Sequence, residues 1–404
     1  MSTHLPLSPA AQAASQAIDS ALDSLTALSR AIGNDPELAF EEHRAAARVA
    51  QALTDAGFLV HTGAYGLPTA VAAEYGSGEF TIVVVGEYDA LPEVGHACGH
   101  NVIAAAGVGA AIGLRAVADQ LGIRVRFLGT PAEESGGGKN LMLERGAWDD
   151  GTLSVMVHGG PQPQTRSVGG TTQALEYFEA TFTGRAAHAA FAPHEGINAG
   201  DAVTLAQVAF GLLRQQLPDG VVVSSISQTG VAANIIPESG TLCVEVRAHD
   251  AESWATARAR VRAAIDGAAL ASGCTVTLRH PEIPYAPLAA DPELTALFDE
   301  HLAGLLGERS SDWAPGMSGG STDMGNVSQY LPSIHPMVAL PDTAALPHHH
   351  SFAEAARGEA GDSVVRAGAI SLALTAISAA ENTELRERLL DQQRARAPHP
   401  RPAN

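Results

Sequence analysis

Apolar residues recur at three- and four-residue spacing over residues 10–32 and 39–56, the pattern that lines one face of a helix. The period then shortens to runs of β-formers at 69–73 and 81–85, and an Ala- and Gly-rich helical stretch follows at 102–120. Further strands are predicted at 123–128 and 153–157. This alternation predicts an α/β fold with a doubly wound sheet and helices on both faces. The pattern changes near Thr171. Strands at 174–183, 221–227, 240–248 and 275–279 alternate with helices at 198–215 and 252–270. They form an α+β insert of about 115 residues, within the usual range of a domain. From Leu288 the α/β pattern resumes, with helices at 292–306 and 352–380 flanking a strand at 334–340. The expected organisation is therefore an α/β domain built from 1–172 and 288–390, an inserted domain at 173–287, and a disordered Pro-rich tail at 391–404.

Composition narrows the classes. A chain of 404 residues can bury two cores, and 46% hydrophobic residues is ordinary for a globular protein. No run approaches the roughly 20 apolar residues of a membrane span. The first residues, Met1-Ser-Thr-His-Leu-Pro, lack a basic stretch followed by an apolar one, so no signal peptide is expected. Three cysteines argue against a disulfide framework and for a reducing compartment, and a cytoplasmic location is expected. The formal net charge is −20, and Lys139 is the only lysine. That balance argues against nucleic acid and anionic membranes as partners. It says little about the substrate, because one local arginine can still bind an anion.

Candidate chemistry begins at Gly86-Glu-Tyr-Asp-Ala-Leu-Pro-Glu-Val-Gly-His-Ala-Cys98-Gly-His100-Asn101. It places a thiolate and an imidazole two residues apart between a predicted strand and a predicted helix, where α/β sheets display functional groups. Cys and His with nearby carboxylates suit a zinc-like cation better than calcium or magnesium. Alone, a C-x-H pair is weak. It gains weight from Glu133-Glu134, which again follows a predicted strand, and from His158 and His350. Of two adjacent carboxylates on a turn, one can bind a metal while the other faces the substrate as general base. Without the Cys-His pair they would read as a solvated helix start. The glycine run 136–138 lacks the full phosphate-loop pattern, so nucleotide binding is not expected. His158 ends an apolar run, where a lone histidine is more often a core or turn residue; His350 closes a three-histidine run before a predicted helix.

The order Tyr-Asp-Ala-Leu-Pro…His-Ala-Cys-Gly-His, Pro-Ala-Glu-Glu, a strand-end His, Gly-Arg-Ala-Ala-His-Ala-Ala, Asn-Ile-Ile-Pro and Gly-Ser-Thr-Asp-Met-Gly-Asn resembles metallopeptidase family M20 over about residues 10–385. The likeness is to its amidohydrolase branch of aminoacylases, dipeptidases, auxin-conjugate hydrolases and p-aminobenzoyl-glutamate hydrolases. The resemblance implies a two-metal centre held by Cys98, His100, Glu134, His158 and His350, with the Cys98 thiolate bridging. Zinc is the expected metal, with manganese or cobalt also compatible. It implies that Glu133 is the general base and acid, and that the insert is a lid and dimerisation domain of a homodimer. It also implies that His188 reaches the partner subunit's site to stabilise the oxyanion, and that Asn234 and Arg247 hold the substrate carboxylate. A solvent-facing arginine on an alternating strand is the competing reading of Arg247. Neither Ser321 nor Asp323 is given a chemical role.

Three departures from the family pattern matter. Asn101 stands where many relatives have Asp, which is expected to change the surroundings of the metal ligands. Asp89 follows Gly-Glu-Tyr and not His-x, so it is expected to support a ligand and not to be one. His349 replaces His350 if the helix starts one residue earlier. Cys243 is expected to be a core residue and Cys274 to be structural, and His96 is left out of the ligand set. The implied activity is hydrolysis of N-acyl or aryl-acyl amino acids to a carboxylic acid and a free amino acid; the alternative is a dipeptidase. A pseudoenzyme is disfavoured because no ligand is missing, and a thiol enzyme would need Cys98 as a free nucleophile.

Overall fold

The computed structural model describes residues 7–161, 172–307 and 320–400. The chain divides into two compact units, one of Met1–Gly170, Leu288–Met317 and Asp323–Asn404, the other of Thr171–Pro287 with Ser318–Thr322. Helix α1 (Pro9–Gly33) starts at a Ser8 cap whose hydroxyl accepts from the Ala11 N–H at 3.1 Å. After it come α2 (His43–Asp55), β1 (Leu59–Thr62), β2 (Val71–Tyr75), β3 (Phe80–Glu87), α3 (His100–Arg115), α4 (Ala118–Leu121), β4 (Ile123–Thr130), α5 (Gly138–Glu144), β5 (Leu153–Val155) and β6 (His158–Gly160). The second unit holds β7 (Ala174–Thr183), β8 (Ala187–His188), α6 (Ala199–Leu213), β9 (Val222–Thr229), β10 (Ile235–Ile236), β11 (Ser239–Ala248), α7 (Ala251–Ser272) and β12 (Thr275–Arg279). The first unit resumes with α8 (Pro292–Leu306), α9 (Met324–Ser328), β13 (Ser333–Ile334), β14 (Met337–Ala339), α10 (His350–Ala356), α11 (Glu359–Glu381) and α12 (Thr383–Ala395).

In the first unit the sheet runs β1-β2-β4-β3-β5-β13. Strands β4, β3, β5 and β13 are parallel, and β2 and β1 add antiparallel. All eight residues of β3 are buried, as expected for a central strand covered on both faces. Fourteen of the sixteen residues of α3 are buried too, and its Ala and Gly content lets α1 and α11 approach closely. Helix α11 is long and apolar enough to cross a membrane, contrary to the expectation from composition, but 83% of that apolar window is buried inside the fold.

Other expectations shift locally. The helix predicted at 102–120 breaks between α3 and α4, and that at 352–380 breaks at Gly358 between α10 and α11. The strand predicted at 334–340 splits at Pro336, which has no N–H for a ladder, so β13 joins the large sheet while β14 pairs with β6. Strand β1 escaped the sequence pattern because three of its four residues are exposed. The tail expected from 391 begins later: 391–395 complete α12, and the Arg396 guanidinium stacks 4.8 Å from the Tyr330 ring centroid and donates to Asp149 O at 3.2 Å. Residues 401–404 lie outside the described residues.

The second unit has a four-stranded antiparallel sheet ordered β12-β7-β11-β9. Strands β7 and β11 alternate buried and half-buried positions, and α6 and α7 cover the buried face around Phe178, Phe182, Phe210, Val244 and Val261. Strand β9 lies at the sheet edge with Val222 and Ile226 exposed, and α6 exposes Leu205, Val208 and Leu212 on its outer side.

Candidate metal centre

Strands β3 and β4 end side by side, with Glu87 paired to Thr130, so the segments that follow them leave from one edge of the sheet. The first segment reaches α3 through Gly99, whose φ of 81° suits a residue without a side chain. That corner separates Cys98 from His100, which opens the helix. The second segment, 131–137, carries Ala132 at φ 59°, an uncommon conformation for a residue with a Cβ. Glu42, fully buried, holds it: its Oε1 accepts from the N–H groups of Ala132 and Phe40, each at 2.9 Å. Gly138 closes the turn, where a Cβ would fall 1.9 Å from Pro131 O.

These segments bring the donors together. Cys98 Sγ lies 3.6 Å from His158 Nε2 and 3.8 Å from His348 Nε2. Sulfur and nitrogen ligands of one tetrahedral zinc ion sit about 3.6 Å apart, from the usual bond lengths. Two donor groups, Cys98/His100/His158 and Cys98/Glu134/His348, share the thiol, and a third group is Glu87/His100/Glu133. His100 Nε2, Glu134 Oε1 and Glu87 Oε2 are buried without a hydrogen-bond partner. From His100 Nε2, the distances are 3.5 Å to Glu87, 3.7 Å to Glu133 and 3.8 Å to Glu134. Orphaned buried donors converging at these spacings fit divalent cations.

The surroundings orient the ligands. Asp89 Oδ1 and its backbone carbonyl accept from His100 Nδ1 at 3.0 and 2.9 Å, which leaves Nε2 for a cation. Asp89 Oδ2 accepts from the Glu134 N–H at 2.9 Å, so one carboxylate braces two of the converging donors. His158 Nδ1 donates to Gly159 O at 2.5 Å and likewise turns Nε2 toward Cys98. Burial would keep His100 neutral, but the charge and hydrogen bond of Asp89 raise its pKa well above the usual value. Burial pushes the Cys98 thiol up to about 12, and a bound cation would oppose that. Burial, reinforced by Glu87, raises Glu133 well above the carboxylate range; Glu134 is raised mainly by burial. Burial also lowers His158 to about 4.

His350 does not join these donor groups. It is the exposed first residue of α10, and His349 caps that helix by accepting from the Ser351 N–H through Nδ1 at 3.2 Å. His348 takes the place instead, with φ 61° and its N–H bonded to Ala97 O at 2.9 Å. Asn101 does not touch the donors: its amide donates to Ser29 Oγ at 2.9 Å and Ala356 O at 3.0 Å, tying α1 to the end of α10. His96 is buried with both ring nitrogens unpartnered and stands outside the donor groups.

The remaining expected residues lie in the second unit. His188 is exposed on β8, and its Nδ1 accepts from the N–H groups of Ala190 and Phe191 at 3.3 and 3.1 Å. In the neutral ring this places the proton on Nε2, free to donate. Asn234 is exposed and its carbonyl accepts from the Ala189 N–H. Arg247 is half-buried, on the strand face opposite the core, and is not free: it donates to Glu245 at 2.7 and 3.3 Å and to Ser321 Oγ at 3.3 Å. A substrate carboxylate would have to displace Glu245. Cys243 is half-buried, on the strand face opposite the core, whereas Cys274 is a core residue as expected.

Sequence reading missed Glu87, Lys139 and Glu42. Lys139 Nζ is fully buried and pairs with Glu87 Oε1 and, at 2.7 Å, with Asp323 Oδ1. A sole lysine next to a glycine run and an acid ending an all-apolar strand were available signals. Glu42 had none, because the turn it holds, through the Ala132 N–H, lies 90 residues further along the chain.

The profile of the peptidase family M20/M25/M40 matches residues 83–368. The mouse (Mus musculus) Xaa-Arg dipeptidase is 37% identical over 381 residues, 90% of this chain and 87% of the relative. One of the p-aminobenzoyl-glutamate hydrolase polypeptides of Escherichia coli (strain K12) is 32% identical over 286 residues, 65% of this chain and 59% of the relative. A crystal structure of a Bacillus subtilis dinuclear metal-binding peptidase of family M20 superposes with a TM-score of 0.67 at 22% identity, covering 88% of this chain and 98% of that one. Sequence, fold and the converging donors agree: the chain belongs to the peptidase family M20/M25/M40 and is a hydrolase of amide or peptide bonds.

Proposed function

We propose that the protein is a two-cation amidohydrolase that splits dipeptides or N-acyl amino acids carrying a free carboxylate, as a cytoplasmic homodimer. The observation that carries this reading is the pair of donor groups that share Cys98, with Glu133 beside them but in neither. Bound divalent cations, zinc first with manganese or cobalt as alternatives, would supply Lewis acidity toward the amide carbonyl. Cys98, His100 and His158 would hold one cation, and Cys98, Glu134 and His348 the other. Glu133 takes the proton of the attacking water and hands it to the leaving nitrogen. His188, with its proton on Nε2, donates to the developing oxyanion. Asn234 and Arg247 receive the carboxylate, Arg247 by exchanging Glu245 for it. Dipeptides ending in arginine lead the substrate list, because the mouse relative is named for them; N-acyl amino acids follow, in keeping with the p-aminobenzoyl-glutamate hydrolase.

Dimerisation is supported by the exposed apolar residues of α6 and the open edge at β9. Three thiols with no disulfide among them suit a reducing compartment. The test is released amine from a panel of Xaa-Arg dipeptides and N-acyl amino acids. Activity is expected to vanish on chelation, return with zinc, manganese or cobalt, and vanish again in Glu133→Gln. Turnover that survives both treatments would overturn the reading.

A further inference from the structure

We infer that Glu87 is an additional donor to the cation on His100, and not merely the counter-ion of Lys139. The inference rests on the two-cation reading above and adds a residue to it. The two oxygens of Glu87 have different surroundings. Oε1 pairs with the Lys139 ammonium, whereas Oε2 is buried, has no hydrogen-bond partner and points at His100 Nε2 from 3.5 Å. His100 Nε2 is itself buried and unpartnered, while its Nδ1 is committed to Asp89. Nitrogen and oxygen ligands of one tetrahedral ion lie about 3.3 Å apart, from the usual bond lengths. Glu87 is nearest to that spacing among the three carboxylates around His100 Nε2, ahead of Glu133 at 3.7 Å and Glu134 at 3.8 Å.

Lys139 explains how a further carboxylate can be tolerated there. Its ammonium is 0% exposed and sits between Glu87 and Asp323, whose Oδ2 also accepts from the Lys139 N–H at 2.9 Å. Paired with Glu87 Oε1 and with Asp323, the ammonium offsets part of the negative charge gathered in this buried site and leaves Oε2 open toward His100. It also makes Glu87 an uneven donor, since one oxygen is already shared with a cation of the protein. Glu87 would therefore bind through Oε2 alone.

The experiment is a titration of the chelated 404-residue chain with Co(II) and Zn(II), read by the cobalt d–d absorption and by competition with a chromophoric chelator. Wild type, Glu87→Gln and Lys139→Gln are compared, each checked for fold by circular dichroism. Wild type is expected to bind two cations. Glu87→Gln is expected to weaken one of them by about tenfold to a hundredfold and to change the d–d band, because a ligand is lost. Lys139→Gln keeps the carboxylate and is expected to bind no more weakly than wild type. Wild-type affinity and an unchanged spectrum in Glu87→Gln would overturn the inference and leave the two-cation reading standing. Equal weakening in both variants would also overturn it, since the effect would then come from the broken ion pair. Wild type binding no cation would overturn both. If Glu87→Gln does not fold, Glu87→Asp, which retracts the carboxylate by one methylene while keeping the charge, takes its place with the same expected outcomes.

Discussion

Asp89, His100, Glu87, Lys139 and Asp323 of the first unit are each no more than 1% exposed, yet each has a charged partner within 3.0 Å. In the second unit, His188 and Asn234 stand on the surface, and Arg247 is tied to a neighbour two residues away on its own strand. The first arrangement is preorganised: burial and cross-chain hydrogen bonds fix the donors before any cation or substrate arrives. The second is poised: its side chains keep local partners that a ligand can displace. In the first unit the fold must resist like charges at close range, and a single lysine and the histidines do so. In the second the same task falls to solvent.

The strongest way to break the contrast is Glu133→Gln, which keeps the shape of the buried turn and removes the proton carrier. Turnover is expected to fall by about a hundredfold to ten-thousandfold, with cation content by elemental analysis unchanged. Loss of cations along with activity would mean that Glu133 is a ligand. Next comes Trp148→Ala in the core of the first unit. Its side chain is fully buried and its indole donates to Ser154 Oγ at 3.1 Å, so denaturant titration is expected to read a loss of about 3–5 kcal/mol. Asp89→Asn should weaken cation binding by about tenfold to a hundredfold, because His100 and Glu134 both lose a charged brace. An unchanged affinity would show that the ligands are held by packing alone.

Smaller effects sharpen the second unit. Leu212 on α6 is 70% exposed, so Leu212→Glu is expected to alter chain stability by less than about 0.5 kcal/mol while shifting the proposed dimer to monomer on light scattering. The smallest effect concerns pH. Burial lowers His96 from its ordinary 6.5 to about 3, so the unfolded chain binds its proton first and His96 destabilises the fold as pH falls from about 6.5 toward 3. Burial instead raises Glu42 to about 7 and Asp323 to about 6, and these contribute stability at low pH that is lost as pH rises through those values. The wild-type curve therefore mixes opposite slopes. The difference in Tm between His96→Phe and wild type isolates one: flat above pH 7 and growing in favour of the variant below 6.5. A difference that stays constant down to pH 4 would mean His96 is solvated.

Much of the scaffold was legible because its period is simple. The helices at 10–32 and 292–306 and the strands at 81–85, 174–183 and 240–248 match observed elements to within a few residues, since one apolar face suffices to mark each. The misses have local causes. Pro336 divides a strand, Gly358 divides a helix, and β1 buries too little to show a pattern. Motif spacing likewise brought Cys98, His100, Glu134 and His158 together as candidates, and the structure brings them into shared donor groups.

The sequence by itself determined the element order, the acidic, lysine-poor composition and the residue types of the candidate metal centre, because periodicity and motif spacing are properties of neighbours along the chain. Only the tertiary structure decided among the three consecutive histidines, placing His348 at Cys98 through a left-handed backbone turn while His349 caps α10. Only it joined Lys139 to Glu87 and Asp323, which lie 52 and 184 residues away. Only it set Glu42 under a turn 90 residues distant. Those choices depend on which backbone donors and buried charges are left without partners once the sheet and helices have packed, and no local pattern records that.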